Sequence, residues 1–226
     1  MSPTQLFFNF LLLMAVITPI QATQYLALNN ATSTPGGTRF DNEITIPYSE
    51  QILQLASKFI LKIFNENDEQ SRKSVAQITM IVESLDGVAY AEDDSIHVSS
   101  EYIANYVGDV RTEIIGVLYH ETTHIWQWSG KGETPGGLIE GVADYVRLKG
   151  WWAPAHWVKR GTGKRWDEGY AVTAYFLEYC NGIKDGFVGE INGLMKDGYS
   201  DEYIVQILGK NVDDLWKDYK AKYGGS

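Results

Sequence analysis

The chain has 226 residues, a formal net charge of −10 at pH 7 and a pI near 4.8. That charge, with no basic stripe to offset it, excludes the nucleic-acid backbone as a partner and disfavours anionic membranes. The single cysteine, Cys180, excludes an intramolecular disulfide, so stability must come from packing, to which 7 Trp and 14 Tyr bring large areas with polar tips.

Residues 1–22 carry no charged side chain, and the apolar run over 6–17, interrupted by Asn9, is too short to span a bilayer comfortably. This predicts a signal peptide over 1–22, cleaved after Ile20-Gln21-Ala22, in preference to an uncleaved membrane anchor. Residues 23–226 then form one secreted, monomeric domain with no membrane segment. Asn30-Ala31-Thr32 is an N-glycosylation sequon in a polar, exposed stretch, which makes Asn30 a glycosylation candidate. After a Pro35-Gly36-Gly37 turn, residues 40–47 read as a strand with Ile44 and Ile46 on one face. Ser49 is placed to cap a helix whose stripe is Ile52, Leu55, Ala56, Phe59, Ile60 and Ile63. Residues 75–82 alternate in the strand sense, residues 88–91 follow a Leu85-Asp86-Gly87 turn, and residues 95–99 form a further short strand. His97, on that last strand, is either part of an edge along which an extended substrate lies or an ordinary surface histidine. These pieces predict a small sheet packed against helices.

Val110, Ile114, Val117 and Leu118 then recur at helical spacing and lead into His120-Glu121-Thr122-Thr123-His124. The amphipathic helix runs on through Ile125 and Trp126 and stops at Ser129-Gly130-Lys131-Gly132. His120 and His124 are one turn apart and share a face. Two imidazoles so presented can hold one Zn²⁺ at about 2.0–2.1 Å, with Glu121 leaning toward the open coordination position. The chemistry is that of a metal hydrolase: zinc polarises the scissile carbonyl and brings the pKa of its water toward about 7, and the glutamate takes the proton. The competing reading is a helix face without metal. A catalytic zinc uses three protein ligands. Glu140 and Asp144, four apart in the next helical segment, supply the most economical completion. Glu140 becomes the third ligand, and Asp144 orients a ligand imidazole through its other ring N–H. Gly141 and Ala143 are expected to let this helix approach the first closely. His156, among Trp152, Pro154 and Trp157, is the alternative ligand.

Trp151, Trp152, Trp157 and Trp166 crowd the following loop-rich stretch, which reads either as a cleft lining or as a packed loop core. Asp167 is placed to cap a helix containing Tyr170, Ala171, Thr173, Ala174, Tyr175 and Leu177. Cys180 closes that helix as a buried thiol before Asn181-Gly182 stops it. Residues 187–195, 200–208 and 212–223 read as further helices, the last with Leu215, Trp216 and Tyr219 as its buried edge. No repeat or linker divides the chain.

The segments 117–128 (VLYHETTHIWQW) and 135–147 (PGGLIEGVADYVR) resemble the plant basic secretory protein family of zinc peptidases. The segments 34–40, 86–90 and 165–170 agree, so the likeness covers nearly all of 23–226. It implies a zincin-like fold, secretion into the apoplast or cell-wall space and a role in plant defence. The acidic charge departs from the family's name. The Glu140 segment is also similar to the third-ligand helix of gluzincin aminopeptidases, whereas the extended metzincin motif fails at Gln127 and Gly130 and the aspzincin GTxD segment at Lys164. In gluzincins an oxyanion donor, tyrosine or histidine, follows the third-ligand helix. On that resemblance Tyr170 is the candidate donor and His156 its competitor, with Gly169 leaving room for substrate. An aromatic core residue is the plain reading of Tyr170.

The expectation is thus one α+β, zincin-like domain with an N-terminal sheet-and-helix half, a helical C-terminal half and a cleft between them. Its function is hydrolysis of a peptide or protein substrate with one Zn²⁺ on His120, His124 and Glu140 and with Glu121 as base. A secreted binding protein that keeps a zincin shell without turnover is the alternative, and the intact Glu121 argues against it. Hydrolysis of another kind of bond is the third reading.

Overall fold

A computed structural model describes residues 22–66, 68 and 71–224, so the signal peptide expected over 1–22 lies, but for Ala22, outside the described residues. Strands β1 (Gln24–Asn29), β2 (Gln77–Glu83), β3 (Ala89–Glu92) and β4 (Ser95–Ser99) form one sheet in the order β1-β2-β4-β3. β1 and β4 run parallel to β2, and β3 pairs antiparallel with β4 at the rim. Ile78, Met80, Val82, Ile96 and Val98 are fully buried on one face, as the period-two alternation demands. Each such side chain contributes about 1.5–3 kcal/mol of hydrophobic stabilisation. β1 has no counterpart among the expected strands. Its leucines, Leu26 and Leu28, face outward at 39% and 46% exposure while Ala27 is buried, so its apolar signal lies on the solvent side.

Two parallel neighbours need a crossover. It is made by α1 (Pro35–Arg39), a π-turn (Phe40–Ile44) and α2 (Ile46–Ile63). Residues 40–47 are therefore not the expected strand. Phe40 and Ile44 are buried one helical turn apart, whereas Ile46 is 36% exposed, so the operative period is four and not two. Nor does Ser49 cap α2. Thr45 does, accepting from Tyr48 N, and Pro47 suits the first turn because that turn's N–H groups lack intrahelical partners anyway. Ser49 instead donates from within the helix to Thr45 O.

α3 (Ser100–Asn105), which the sequence reading leaves unassigned, precedes α4 (Val110–Trp126), the helix of the HExxH motif. α4 packs on α2, on β3 and β4, and on α5 (Gly136–Lys149). It is buried on nearly every side and so is not the amphipathic helix expected. Beyond α5 come α6 (Tyr170–Ile183), α7 (Phe187–Leu194), α8 (Glu202–Leu208) and α9 (Val212–Tyr223). Phe176 of α6 meets Trp216 and Tyr219 of α9 edge-on at 5.5 and 5.8 Å, which joins the last helix to the core. Cys180 is fully buried, and burial pushes its thiol pKa well up, consistent with an inert packing residue. Asn30 is exposed in the turn after β1. The molecule is thus the α+β domain expected, sheet and α2 first, helices last. No helix among the described residues is long and apolar enough to cross a membrane.

His97 is not on the rim. β4 lies between β2 and β3, and the imidazole stacks on Tyr90 at 4.6 Å while its Nδ1 meets Glu83 Oε1 at 2.6 Å. The edge strands of the sheet are β1 and β3.

Candidate active site

Asp109 caps α4 through Thr112 N, and about three turns later the helix delivers His120, Glu121 and His124 to the floor of a cleft of ≈ 1050 Å³. α5 runs antiparallel beside it, with Asp144 and Glu140 facing His120 and with Ile139 O accepting from Gln127 Nε2. The close approach is arranged differently from expectation. Gly141 faces α6, where a Cβ would lie 2.2 Å from Thr173 Cγ2. On α4, Gly116 leaves room for the Arg147 guanidinium, since a Cβ there would lie 2.7 Å from Arg147 Nε and 2.9 Å from Trp152 O.

His120 Nε2 is 3.1 Å from His124 Nε2 and 3.1 Å from Glu140 Oε2, and the last two atoms are 3.7 Å apart. Tetrahedral ligands at about 2.0–2.1 Å from zinc lie about 3.3–3.4 Å from one another, so the three donors fit one such ion. Their chemistry agrees. His120 Nδ1 meets Asp144 Oδ1 at 2.7 Å, and a proton held there leaves Nε2 as a lone pair pointed at a carboxylate. Such facing acceptors are reconciled by a proton or a metal cation between them.

The electrostatics express the same need. Burial opposes a charge on His120, but hydrogen bonds to Asp144 and Glu140 outweigh it and carry the imidazole up to about 10. Burial likewise opposes the Glu140 carboxylate, and the two imidazoles overcome it, holding that carboxyl well below the usual range. Glu121 moves the other way, raised by burial against the pull of both histidines.

Tyr170 opens α6 at φ +45°, 59% exposed, with its ring 6.1 Å from that of His120 and only 12° off parallel. It lies over the histidine and is not a core residue. Glu140 chiefly raises its phenol pKa, followed by burial and the other carboxylates. Its placement comes from glycine. A Cβ on Gly137 would lie 1.8 Å from Asp167 O, so only glycine lets the incoming loop pass over α5. Gly169, at φ +99°, packs beside Gly137 and Glu140, so its role is backbone placement and not the expected room for substrate. Asp167 binds Arg165 and does not cap α6, and the first turn is held by Thr173 Oγ1, which accepts from Gly169 N and donates to Trp166 O. α6 also continues past Asn181-Gly182 to Ile183.

A model of a family described as BSP, peptidase of plants and bacteria, matches residues 21–219. The chain belongs to this family. Among curated proteins, a basic secretory protease of Boswellia serrata is 42% identical over 59 residues, which cover 26% of this chain and 67% of that protein. No solved structure matches. In this BSP-family chain the exposed His156 lines the cleft but stands apart from the group of His120, His124 and Glu140. The tryptophans divide: Trp157 lines the cleft, Trp152 packs on Tyr119, Trp166 is buried and Trp151 is 92% exposed. Sequence reasoning passed over Glu113 and Arg147, which also line the cleft of this BSP-family fold. Their signal was available: each lies seven residues, two turns, from His120 or Glu140 on the same helix.

Proposed function

We propose that this chain is a secreted, zinc-dependent peptidase that hydrolyses bonds in a peptide or protein substrate, with the defence role that the family resemblance implies. The observation that carries the reading is the convergence of His120, His124 and Glu140 on one point, with Glu121 beside them in an open cleft. These three residues would hold the ion. When bound, zinc supplies a Lewis acid and brings the pKa of water toward about 7. Glu121 takes the proton of the attacking water and hands it to the leaving amine, a task that its raised pKa suits. Asp144 fixes the His120 tautomer and ring angle. The Tyr170 hydroxyl, kept protonated beside Glu140, donates to the negative charge that builds on the carbonyl oxygen. Metal content of the purified protein, measured with cleavage of a mixed peptide library before and after chelation, tests the whole. A metal-free active protein, or activity indifferent to the chelator, sinks it.

Two narrower outcomes follow. Tyr170→Phe is expected to lower kcat by about 10²–10³ with metal content and folding unchanged, because only a transition-state contact is lost. An unchanged kcat in a folded, metal-loaded protein moves the donor's role to His156. Export predicts material beginning at or near Thr23. Thr23 Oγ1 donates to Val75 O at 2.8 Å and Gln24 N to Ala76 O at 2.9 Å, so cleavage there leaves the first strand whole. N-terminal sequencing of secreted protein decides it, and intact Met1 in a cytosolic fraction counts against it.

A further inference from the structure

The cleft continues past the metal ligands. Glu113 precedes His120 by two turns of α4, about 10 Å along the axis. This arm is lined by Tyr102, Glu113, Val117, Arg147 and Trp157. Its floor is a buried ion pair: Arg147 Nη2 donates to Glu113 Oε1 at 3.0 Å, and the two side chains are 10% and 5% exposed. Glu113 Oε1 also accepts from Tyr102 Oη at 2.9 Å, and Arg147 Nε donates to Trp152 O at 3.0 Å. Two groups remain. Among the described residues, Arg147 Nη1 has no hydrogen-bond acceptor, and Glu113 Oε2 has only the 3.4 Å contact from Tyr106 Oη.

We propose that this arm is a side-chain pocket that selects a carboxamide, glutamine above all, at a substrate residue next to the scissile bond. The inference rests on the peptidase reading above. A carboxamide oxygen accepts from Arg147 Nη1 while its NH₂ donates to Glu113 Oε2, so one neutral side chain satisfies both groups. Glutamate in the same place faces Glu113, and lysine faces Arg147, each a like charge over a desolvated floor. Leucine displaces water from both groups and replaces none of its hydrogen bonds. Length favours glutamine over asparagine, since a backbone step of about 3.5 Å and a side chain of about 5 Å together nearly span the arm.

The test exposes metal-loaded Glu121→Gln protein to a randomised peptide library and sequences the bound fraction, while wild-type protein cleaves the same library. Glutamine is expected at one position by at least about tenfold over glutamate, lysine and leucine in both experiments. Glu113→Gln, which keeps the shape of the floor and leaves Arg147 uncompensated, should reverse the order and favour glutamate. A brace without contact to substrate would not reverse it. Cleavage or binding with no glutamine preference overturns the pocket and leaves the peptidase reading standing. Absence of cleavage by metal-loaded wild type overturns the peptidase reading, and the bound fraction then decides the pocket. If Glu113→Gln does not fold, the other two profiles decide alone.

Discussion

Glu121→Gln is expected to keep the fold and the metal and to lower kcat by at least about 10²–10⁴-fold. Glu121 is 7% exposed, and its carboxylate has no hydrogen-bond partner among the described residues, so the isosteric amide breaks no contact. Burial is the largest cause of its raised pKa, and the Glu140 and Asp144 charges add to it. That places its basicity nearer neutrality, where a general base works best. The amide cannot take a proton, whereas the three metal donors stay as they were. Metal analysis and a thermal melt of the variant establish that it is loaded and folded, and single-turnover cleavage gives the rate. Full activity in such a protein ends the role assigned to Glu121.

The second large effect concerns the metal. Glu140→Ala should weaken zinc binding by more than about 100-fold, Asp144→Asn by about 10–100-fold, and His156→Ala not measurably. Glu140 contributes one of the three converging donor atoms and the negative charge among them. Alanine leaves two imidazoles, too few for a catalytic zinc site. Asp144 stands outside the converging group of His120, His124 and Glu140. It acts through His120 Nδ1, and an amide oxygen still accepts that proton, so the loss is intermediate. His156 is exposed on the cleft wall and stands outside the converging group. Competition with a chromophoric chelator measures all three. An empty site in His156→Ala beside an occupied one in Glu140→Ala would replace the third ligand.

Much of this was legible because spacing along a helix is a geometric statement. Residues four apart share a face, so the sequence alone predicts that the pairs His120/His124 and Glu140/Asp144 act together. The period-two run of β2 and the buried edge of α9 were legible for the same reason. The residues from 40 to 47 misled because Ile44 and Ile46 alternate over too short a stretch, and Thr45 with Pro47 carried the better signal of a helix start. β1 escaped because an edge strand beside one parallel neighbour needs little apolar pattern of its own: its backbone bonds to β2 hold it while Leu26 and Leu28 face water.

The sequence by itself determined the family, the α+β class, the HExxH motif and which side chains could share a helical face. These follow from local periodicity and residue chemistry, which do not depend on where distant segments lie. Only the tertiary structure decided that α4 and α5 run antiparallel so that His120 meets both Glu140 and Asp144. It also decided that β3 and not β4 forms the rim, that Tyr170 lies over His120, and that Arg147 crosses Gly116 to reach Glu113. Each of these depends on how separate elements pack against one another. For Arg147 and Tyr170 the missing Cβ at Gly116 and Gly137 makes the room, and no spacing within one helix encodes it.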